Sequence, residues 1–327
     1  MSDDLRKAAE QNKILEIRHG SHLYGTNTPQ SDEDFVGVFL PPIEYVFGLK
    51  SVKEVDLGIV SKGQDGKNTS DAVDKKLYEF RKFLTLCLGN NPNILEFLFV
   101  DEKNIMFVNE IGQSLLDIRS YFPSKLCVPK FIGYAHAQKH KMIIKKENYT
   151  DLLAGHGILE EYDDKHTMSQ VYDYEGDNGI FYKKDRGVHI HCGDICFEPG
   201  VYVKKAKRKL QERIDKATNR SDLILKHGFD SKFGSHLVRL LIEGRNILQT
   251  GELKFPLDDI DMLLDIRNGK RELEQVLETA ENLEKEIDEL KEKSTIQAKP
   301  NYKKVEKFCI ETLRNFLEKG EKNEKQH

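Results

Sequence analysis

The sequence predicts an α+β fold, with short strands near the N-terminus and a mainly helical chain after Asp101. Two runs of alternating apolar residues, 14–18 and 35–40, are typical of strands, whose side chains alternate between the two faces of a sheet. Between Arg271 and Lys293, apolar residues instead recur at helical spacing, with Glu and Lys elsewhere. These patterns favour a small sheet flanked by helices, followed by a helical C-terminal region.

Composition limits the classes of function. The chain has 327 residues, enough for two domains or one large one. Its net charge of −4, from 51 Lys+Arg and 55 Asp+Glu, gives no overall basic character, so a polynucleotide would bind only to a local patch. Five scattered cysteines indicate reduced thiols and a cytoplasmic location. We expect no membrane partner, because no apolar run approaches the roughly 20 residues of a membrane span.

The N-terminal third contains several predicted local elements. Residues 3–13 are expected to form a short helix, residues 21–25 a turn or short helix, and residues 43–48 another short helix. Turn-forming residues at 62–68 predict a hairpin loop. The run that begins near Ala72 would then be a strand that pairs back onto the sheet.

The main chemical motif is Gly20-Ser21 followed, after ten residues, by Asp32-Glu33-Asp34. On a strand, Asp32 and Asp34 point to the same face, where their charges repel each other. A cation between them would relieve that repulsion, and a few hard oxygen ligands suit Mg²⁺ that also binds substrate phosphates. Gly20 permits close backbone approach and the Ser21 hydroxyl can donate to a phosphate oxygen. The motif therefore predicts a triphosphate at Gly20-Ser21 and a metal at the aspartates.

This motif and spacing resemble the nucleotidyltransferase superfamily of DNA polymerase beta. The strings at residues 20–26, 31–35 and 37–38 resemble its branch of predicted nucleotidyltransferases associated with RNA repair and RNA ligases. The resemblance implies a palm-like core with a small mixed or antiparallel sheet. It also implies two Mg²⁺ ions, with Mn²⁺ as an alternative, a nucleoside triphosphate substrate, an RNA end as acceptor and an RNA ligase as partner.

The resemblance extends to a third carboxylate. The branch has an Asp four residues before a Tyr and a following basic helix, a pattern that Asp74, Tyr78 and residues 81–83 fit. Asp74 would then be a third metal ligand, with Asp71 as the alternative. Asp74 could equally be a surface acid or a helix N-cap.

A second matching string begins at Asp230. It places Lys232, His236 and Arg239 on one face of a helix, which suits a triphosphate or the leaving pyrophosphate. The alternative is a basic, solvent-exposed helix face. Another matching string contains Asn93 and Glu96, which either orient the site or form a capping box at a helix N-terminus.

A composition shift near Asp101, together with the resemblance, predicts a catalytic core at residues 1–108 and a mainly helical domain at 109–327. Weak periodicity predicts an irregular insertion in that domain at about 148–228. Within that insertion, two His and two Cys at residues 189–196 permit a zinc hypothesis, but a half-buried hairpin fits the pattern better. The basic run at 203–220 predicts either a solvated helix face or a phosphate-binding patch for a polynucleotide.

Three other functions compete with transfer to RNA. The same core could transfer nucleotides to a protein or a small molecule. A sugar-nucleotide glycosyltransferase also uses Asp-x-Asp, but usually after a longer nucleotide-binding region than the 31 residues that precede Asp32. A non-catalytic nucleotide- or RNA-binding module would not need the Gly-Ser turn and both carboxylates intact.

Overall fold

A computed structural model describes residues 3–27, 31–58, 73–184, 187–216, 223–224 and 226–324. The predicted hairpin loop at 62–68 and Asp71 lie outside these residues. Described strands and helices fall into the predicted α+β class, which is confirmed. None of the described helices is long and apolar enough to cross a membrane.

The chain forms two compact units. The first contains residues 1–134, 239–264 and 281–327, and the second contains residues 135–238 and 265–280. These groupings do not test where a separately folding catalytic core would end. The boundary at residue 108 therefore stays a prediction.

The described residues of the first unit form a mixed sheet of five strands: β1 (Lys13–Arg18), β2 (Glu33–Phe39), β3 (Glu54–Asp56), β4 (Val73–Glu79) and β5 (Ile105–Val108). Their order in the sheet is β3-β4-β2-β1-β5. Strand β2 pairs antiparallel with β1 and parallel with β4, and β3 and β5 form the described edges.

The N-terminal helix α1 (Asp3–Gln11) packs against apolar side chains of β2, β3 and β4. Leu5 forms one buried cluster there with Phe39, Val55 and Leu77. Burial of such side chains is the main stabilising contribution in a sheet of this size. The buried positions of α1 recur at helical spacing, whereas those of β1 and β2 are consecutive, at 14–17 and 37–39, rather than alternating.

The remaining helices of the N-terminal part connect these strands. They are α2 (Gly20–Tyr24), α3 (Ile43–Val46), α4 (Phe80–Leu88), α5 (Pro92–Leu95) and α6 (Glu110–Asp117), with short 3₁₀ helices at Glu96–Phe99, Glu102–Asn104 and Arg119–Tyr121. Helix α4 buries Phe80, Phe83, Leu84 and Cys87, the apolar face that its sequence predicts. Its N-cap is Glu79, whose carboxylate accepts a hydrogen bond from the backbone N–H of Lys82.

The C-terminal part is helical, as predicted, with α7 (Cys127–Glu160), α8 (Met168–Glu175), α9 (Val203–Lys216), α10 (Ser231–Thr250), α11 (Ile260–Arg267), α12 (Leu273–Lys293) and α13 (Tyr302–Glu324). Strand β5 is an exception within the stretch after Asp101 that was predicted to be helical. Its four residues pair with β1 at the sheet edge, and three of them are exposed, so they show no alternating pattern.

The prediction of irregular structure after residue 148 is wrong for much of that segment. Helix α7 continues to Glu160, because Tyr149, Leu152 and Leu159 lie at helical spacing and are buried. Helix α8 follows, starting with a capping box between Thr167 and Gln170.

The predicted half-buried hairpin is confirmed as β6 (Ile190–Cys192) paired antiparallel with β7 (Ile195–Phe197). The thiol of Cys192 is buried and donates a hydrogen bond to the backbone oxygen of Asp151. The ring of His191 stacks on Tyr182 with centroids 5.4 Å apart. These contacts give both side chains structural partners.

The basic run after residue 203 forms the amphipathic helix α9. Val203, Ala206 and Leu210 are buried, whereas most of the cations are exposed. Lys207 and Arg213 form ion pairs with Asp164 and Asp194. The described part of the run therefore fits the solvated helix face that was one of its two interpretations.

Candidate active site

The candidate active site lies in the first unit, where α2 approaches the start of β2. The backbone N–H of His19 donates to the backbone oxygen of Asp34 at 2.8 Å, which anchors the turn before α2 to β2. Gly20 has φ of +63°, in the left-handed region that favours glycine. A Cβ atom at this position would also collide with the carboxylate of Asp34. The sequence therefore needs glycine here for two separate reasons.

Asp34 has two carboxylate neighbours. Asp32 immediately precedes β2, and Asp74 is the register partner of Asp34 on the parallel strand β4. Burial raises the pKa of Asp34, and the charge of Asp32 raises it further. His19 opposes this increase, the charge of Asp74 adds a smaller one, and His22 has the smallest, opposing effect. The structure thus brings all three predicted aspartates into electrostatic contact.

No cationic side chain among the described residues forms a salt bridge with these three aspartates. Asp32 and Asp74 are exposed and Asp34 is half-buried, so the group is open to solvent. Within the described part of the chain, no set of three or more His, Cys, Asp or Glu side chains is already arranged as a metal site. The three aspartates are therefore neighbouring, accessible carboxylates with no counter-ion among the residues that the structure describes.

The residue between the two aspartates behaves differently. Glu33 points to the other face of β2, where its carboxylate lies 3.2 Å from the Arg18 guanidinium. The Ser21 hydroxyl, by contrast, has no hydrogen-bond partner among the described residues and is partly exposed. It is therefore available to a ligand beside Asp34.

Sequence reasoning missed a buried polar cluster that adjoins α2. Glu96 is 0% exposed, and its Oε2 lies 3.0 Å from His19 Nε2 and accepts a hydrogen bond from the Tyr24 hydroxyl at 2.5 Å. Its Oε1 accepts from Arg239 Nη1 at 2.6 Å, and the same nitrogen donates to Glu243 at 2.8 Å.

The capping-box interpretation of Asn93 and Glu96 is therefore wrong. The N-cap of α5 is Asn91, whose side chain makes no capping bond, and Asn93 lies inside the helix. The Ser/Asn-x-x-Glu spacing is the usual signal for a capping box, and it hid the long-range partners of Glu96. The only signal in favour of another role was the match of this string to the predicted family.

The three predicted cations of α10 have different environments. Lys232 is exposed, His236 is half-buried, and Arg239 is only 6% exposed. The Arg239 guanidinium is engaged by Glu96 and Glu243 rather than open to a ligand. Lys232 and His236 belong to the second unit, and their role at a triphosphate stays a prediction.

A mixed sheet with a Gly-Ser turn next to clustered aspartates defines the class of protein as nucleotidyltransferase-like. Over residues 2–172, the chain matches the RNA repair pathway DNA polymerase beta family. Because this match spans more than half of the chain, the protein belongs to that family, and the predicted resemblance is confirmed. Membership indicates a nucleotidyltransferase of an RNA repair pathway.

Among curated proteins, the chain is similar to an uncharacterized 38.9 kDa protein from the nrdC-mobD intergenic region of Enterobacteria phage T4. The two are 25% identical over 315 residues, which cover 88% of this chain and 90% of the phage protein. Among solved structures, it is similar to a nucleotidyltransferase-like protein from Exiguobacterium sibiricum 255-15, with 8% identity, a TM-score of 0.24, and coverage of 95% and 77% of the two chains. That structural similarity is too low to support an argument.

Proposed function

We propose that the protein transfers a nucleoside monophosphate from a nucleoside triphosphate to an acceptor hydroxyl, with an RNA end as the acceptor. The observation that supports this most is the group formed by Asp32, Asp34 and Asp74 beside Gly20 and Ser21. Neighbouring carboxylates without a protein cation are suited to divalent metal ions and the phosphates they bind. RNA as the acceptor is supported by the family to which the chain belongs.

In this proposal, Asp32, Asp34 and Asp74 are the ligands of two Mg²⁺ ions, with Mn²⁺ as an alternative. When bound, such ions lower the pKa of the attacking hydroxyl and offset the charge on the α-phosphate and pyrophosphate. Because no cation of the described residues pairs with them, the oxygens of the three carboxylates are accessible for this role. The Ser21 hydroxyl donates to a phosphate oxygen, and the lack of a side chain at Gly20 permits close approach of the Asp34 carboxylate.

Other residues would act on the triphosphate or hold the site in place. Lys232 and His236 would offset negative charge on the triphosphate or the leaving pyrophosphate. Arg239, which was assigned the same role from sequence, is held by two carboxylates and would act through them. An RNA ligase that joins the repaired ends would be the functional partner.

The test is incubation with α-labelled nucleoside triphosphates, Mg²⁺ and three acceptor classes: RNA with a free 3′-hydroxyl, protein, and small molecules with hydroxyl groups. We expect label on RNA, and we expect Asp32→Ala and Asp34→Ala each to abolish it, by about 10³-fold or more, because each removes a metal ligand. Glu33→Gln is the matched control, since Glu33 lies on the same strand and faces Arg18. Unchanged transfer in either aspartate variant would reject the site, and label on another acceptor would reject RNA.

A further inference from the structure

One carboxylate oxygen holds both ends of the helix that carries Gly20 and Ser21. His19 is the N-cap residue of α2 and Tyr24 is its last residue. Both side chains contact Oε2 of Glu96, at 3.0 Å and 2.5 Å. We propose that Glu96 is a positioning residue that fixes α2 and thereby the triphosphate-binding turn. The inference rests on the proposed function for the role of that turn, but not for the link between Glu96 and α2.

Arg239 keeps Glu96 in this orientation. Its Nη1 donates to Oε1 of Glu96 at 2.6 Å, while the guanidinium carbon lies 3.7 Å from the centroid of the Tyr24 ring. A guanidinium over an aromatic ring adds a favourable cation–π contact. Arg239 therefore contacts α2 directly through Tyr24 and indirectly through Glu96, so that the carboxylate cannot rotate without losing a charged partner.

The two carboxyl groups that contact Arg239 have opposite pKa shifts. Burial raises the pKa of Glu96, but Arg239 and the hydrogen bonds from His19 and Tyr24 outweigh it and hold that pKa well below its usual range. Burial raises the pKa of Glu243 well above its usual range, and the charge of Glu96 adds to that effect against Arg239. Of the two carboxyl groups, Glu96 is therefore the one whose ionised form is favoured beside Arg239.

Because Arg239 has a second carboxyl partner, the effect of Glu96 on α2 can be tested separately from its effect on stability. In Glu96→Gln, one of the effects that raise the pKa of Glu243 is removed while Arg239 still lowers it, so that pKa falls and Glu243 stays the hydrogen-bonded carboxyl partner of Arg239. We expect the fold to be retained because Arg239 keeps this partner. Glutamine has only one side-chain oxygen, which Arg239 engages, and the amide NH₂ then faces Tyr24 and His19. The charge-assisted hydrogen bonds at both ends of α2 are lost while the packing volume is kept.

The experiment is hydrogen–deuterium exchange of the full-length protein, read at residues 20–26, together with equilibrium binding of ATP. We expect Glu96→Gln to exchange about tenfold faster in this segment only, and to bind ATP about tenfold more weakly, as loss of a charge-assisted hydrogen bond requires. Affinity for Mn²⁺ alone should not change, which separates a displaced turn from a damaged metal site. Glu79→Gln is the matched control, because Glu79 is also buried and paired with an arginine but caps α4.

Tyr24→Phe provides a second variant that keeps the ring under Arg239 and removes one of the two hydrogen bonds. It should accelerate exchange in the same segment by a smaller factor. If Glu96→Gln does not fold, Tyr24→Phe tests the inference in its place. Unchanged exchange at residues 20–26 in a folded variant, or acceleration spread evenly over the first unit, would overturn the inference. If the wild-type protein binds no ATP while the exchange result holds, the proposed function fails and the link between Glu96 and α2 stands.

Discussion

The first unit contains two groups of carboxylates that differ in how their charge is balanced. Glu96 and Glu243 are fully buried, and a single guanidinium, that of Arg239, contacts both. Asp34 is half-buried beside Asp32 and Asp74, and no described cation pairs with any of the three. A described side chain is the counter-ion in the first case, whereas none of the described side chains is a counter-ion in the second.

The strands that carry these aspartates also carry a lysine, which pairs with other carboxylates. Lys75 directly follows Asp74, but it faces the opposite side of β4 and pairs with Glu10 and Glu16 at 3.0 Å and 2.8 Å. Neighbouring carboxylates disfavour each other's ionised form, and the proposed metal site at these aspartates would supply the opposite charge. The comparison thus separates carboxylates that are paired within the protein from carboxylates that pair with no cation of the described residues.

The largest expected effect is on the stability contributed by the buried cluster of Glu96, Glu243 and Arg239. The double variant Glu96→Gln/Glu243→Gln leaves Arg239 buried with no counter-charge, which costs about 3–5 kcal/mol of unfolding free energy. Glu243→Gln alone should cost much less, because burial and the charge of Glu96 already disfavour the ionised form of Glu243 and raise its pKa. Chemical denaturation of both single variants and the double variant measures this. Strictly additive losses would show that the two carboxyl groups do not share Arg239.

Gly20→Ala is expected to have the next largest effect. Alanine at φ of +63° is strained, and its Cβ would push the Asp34 carboxylate away, so we expect a loss of about 1–3 kcal/mol together with weaker metal binding. Gly179→Ala is a suitable control, since Gly179 has φ of +79° but no atom near the position of a Cβ. Equal destabilisation with normal metal binding in both variants would show that only the backbone strain matters.

Asp34→Asn should act in the opposite direction on stability. It removes the carboxylate that burial and two neighbouring aspartates disfavour, so the metal-free protein should gain up to about 1 kcal/mol, a value limited by solvent screening of this half-exposed group. Thermal unfolding in the presence of a chelator provides the measurement. A lower unfolding temperature than that of the wild type would contradict an uncompensated charge at this position.

The raised pKa of Asp34 also predicts a small pH dependence of the free energy of unfolding. The pKa of Asp34 is raised above its usual value of 3.8, so the folded state holds this proton more tightly than the unfolded state. Stability of the metal-free wild type should therefore fall as the pH rises from about 4 through the folded-state pKa, and then level off. The difference in unfolding free energy between Asp34→Asn and the wild type should grow over that window. A constant difference would mean that the pKa is not raised.

Local patterns predicted the parts of the fold and site that depend on neighbouring residues. Alternating apolar residues identified β1 and β2, and a carboxylate at the start of a strand identified Asp74, which is the register partner of Asp34. Strand β5 escaped detection because its exposed edge residues do not alternate in polarity. Glu96 and Arg239 are 143 residues apart, so no local pattern could show that they meet, and a capping-box spacing suggested a nearby role for Glu96 instead.

Binding of Mn²⁺, followed by electron paramagnetic resonance, tests whether the three aspartates bind a divalent cation. We expect the wild type and Glu33→Gln to bind Mn²⁺ alike, and Asp34→Asn to bind at least about tenfold more weakly because it loses a charged ligand. Equal Mn²⁺ affinity in Asp34→Asn and Glu33→Gln would contradict a metal site at these aspartates.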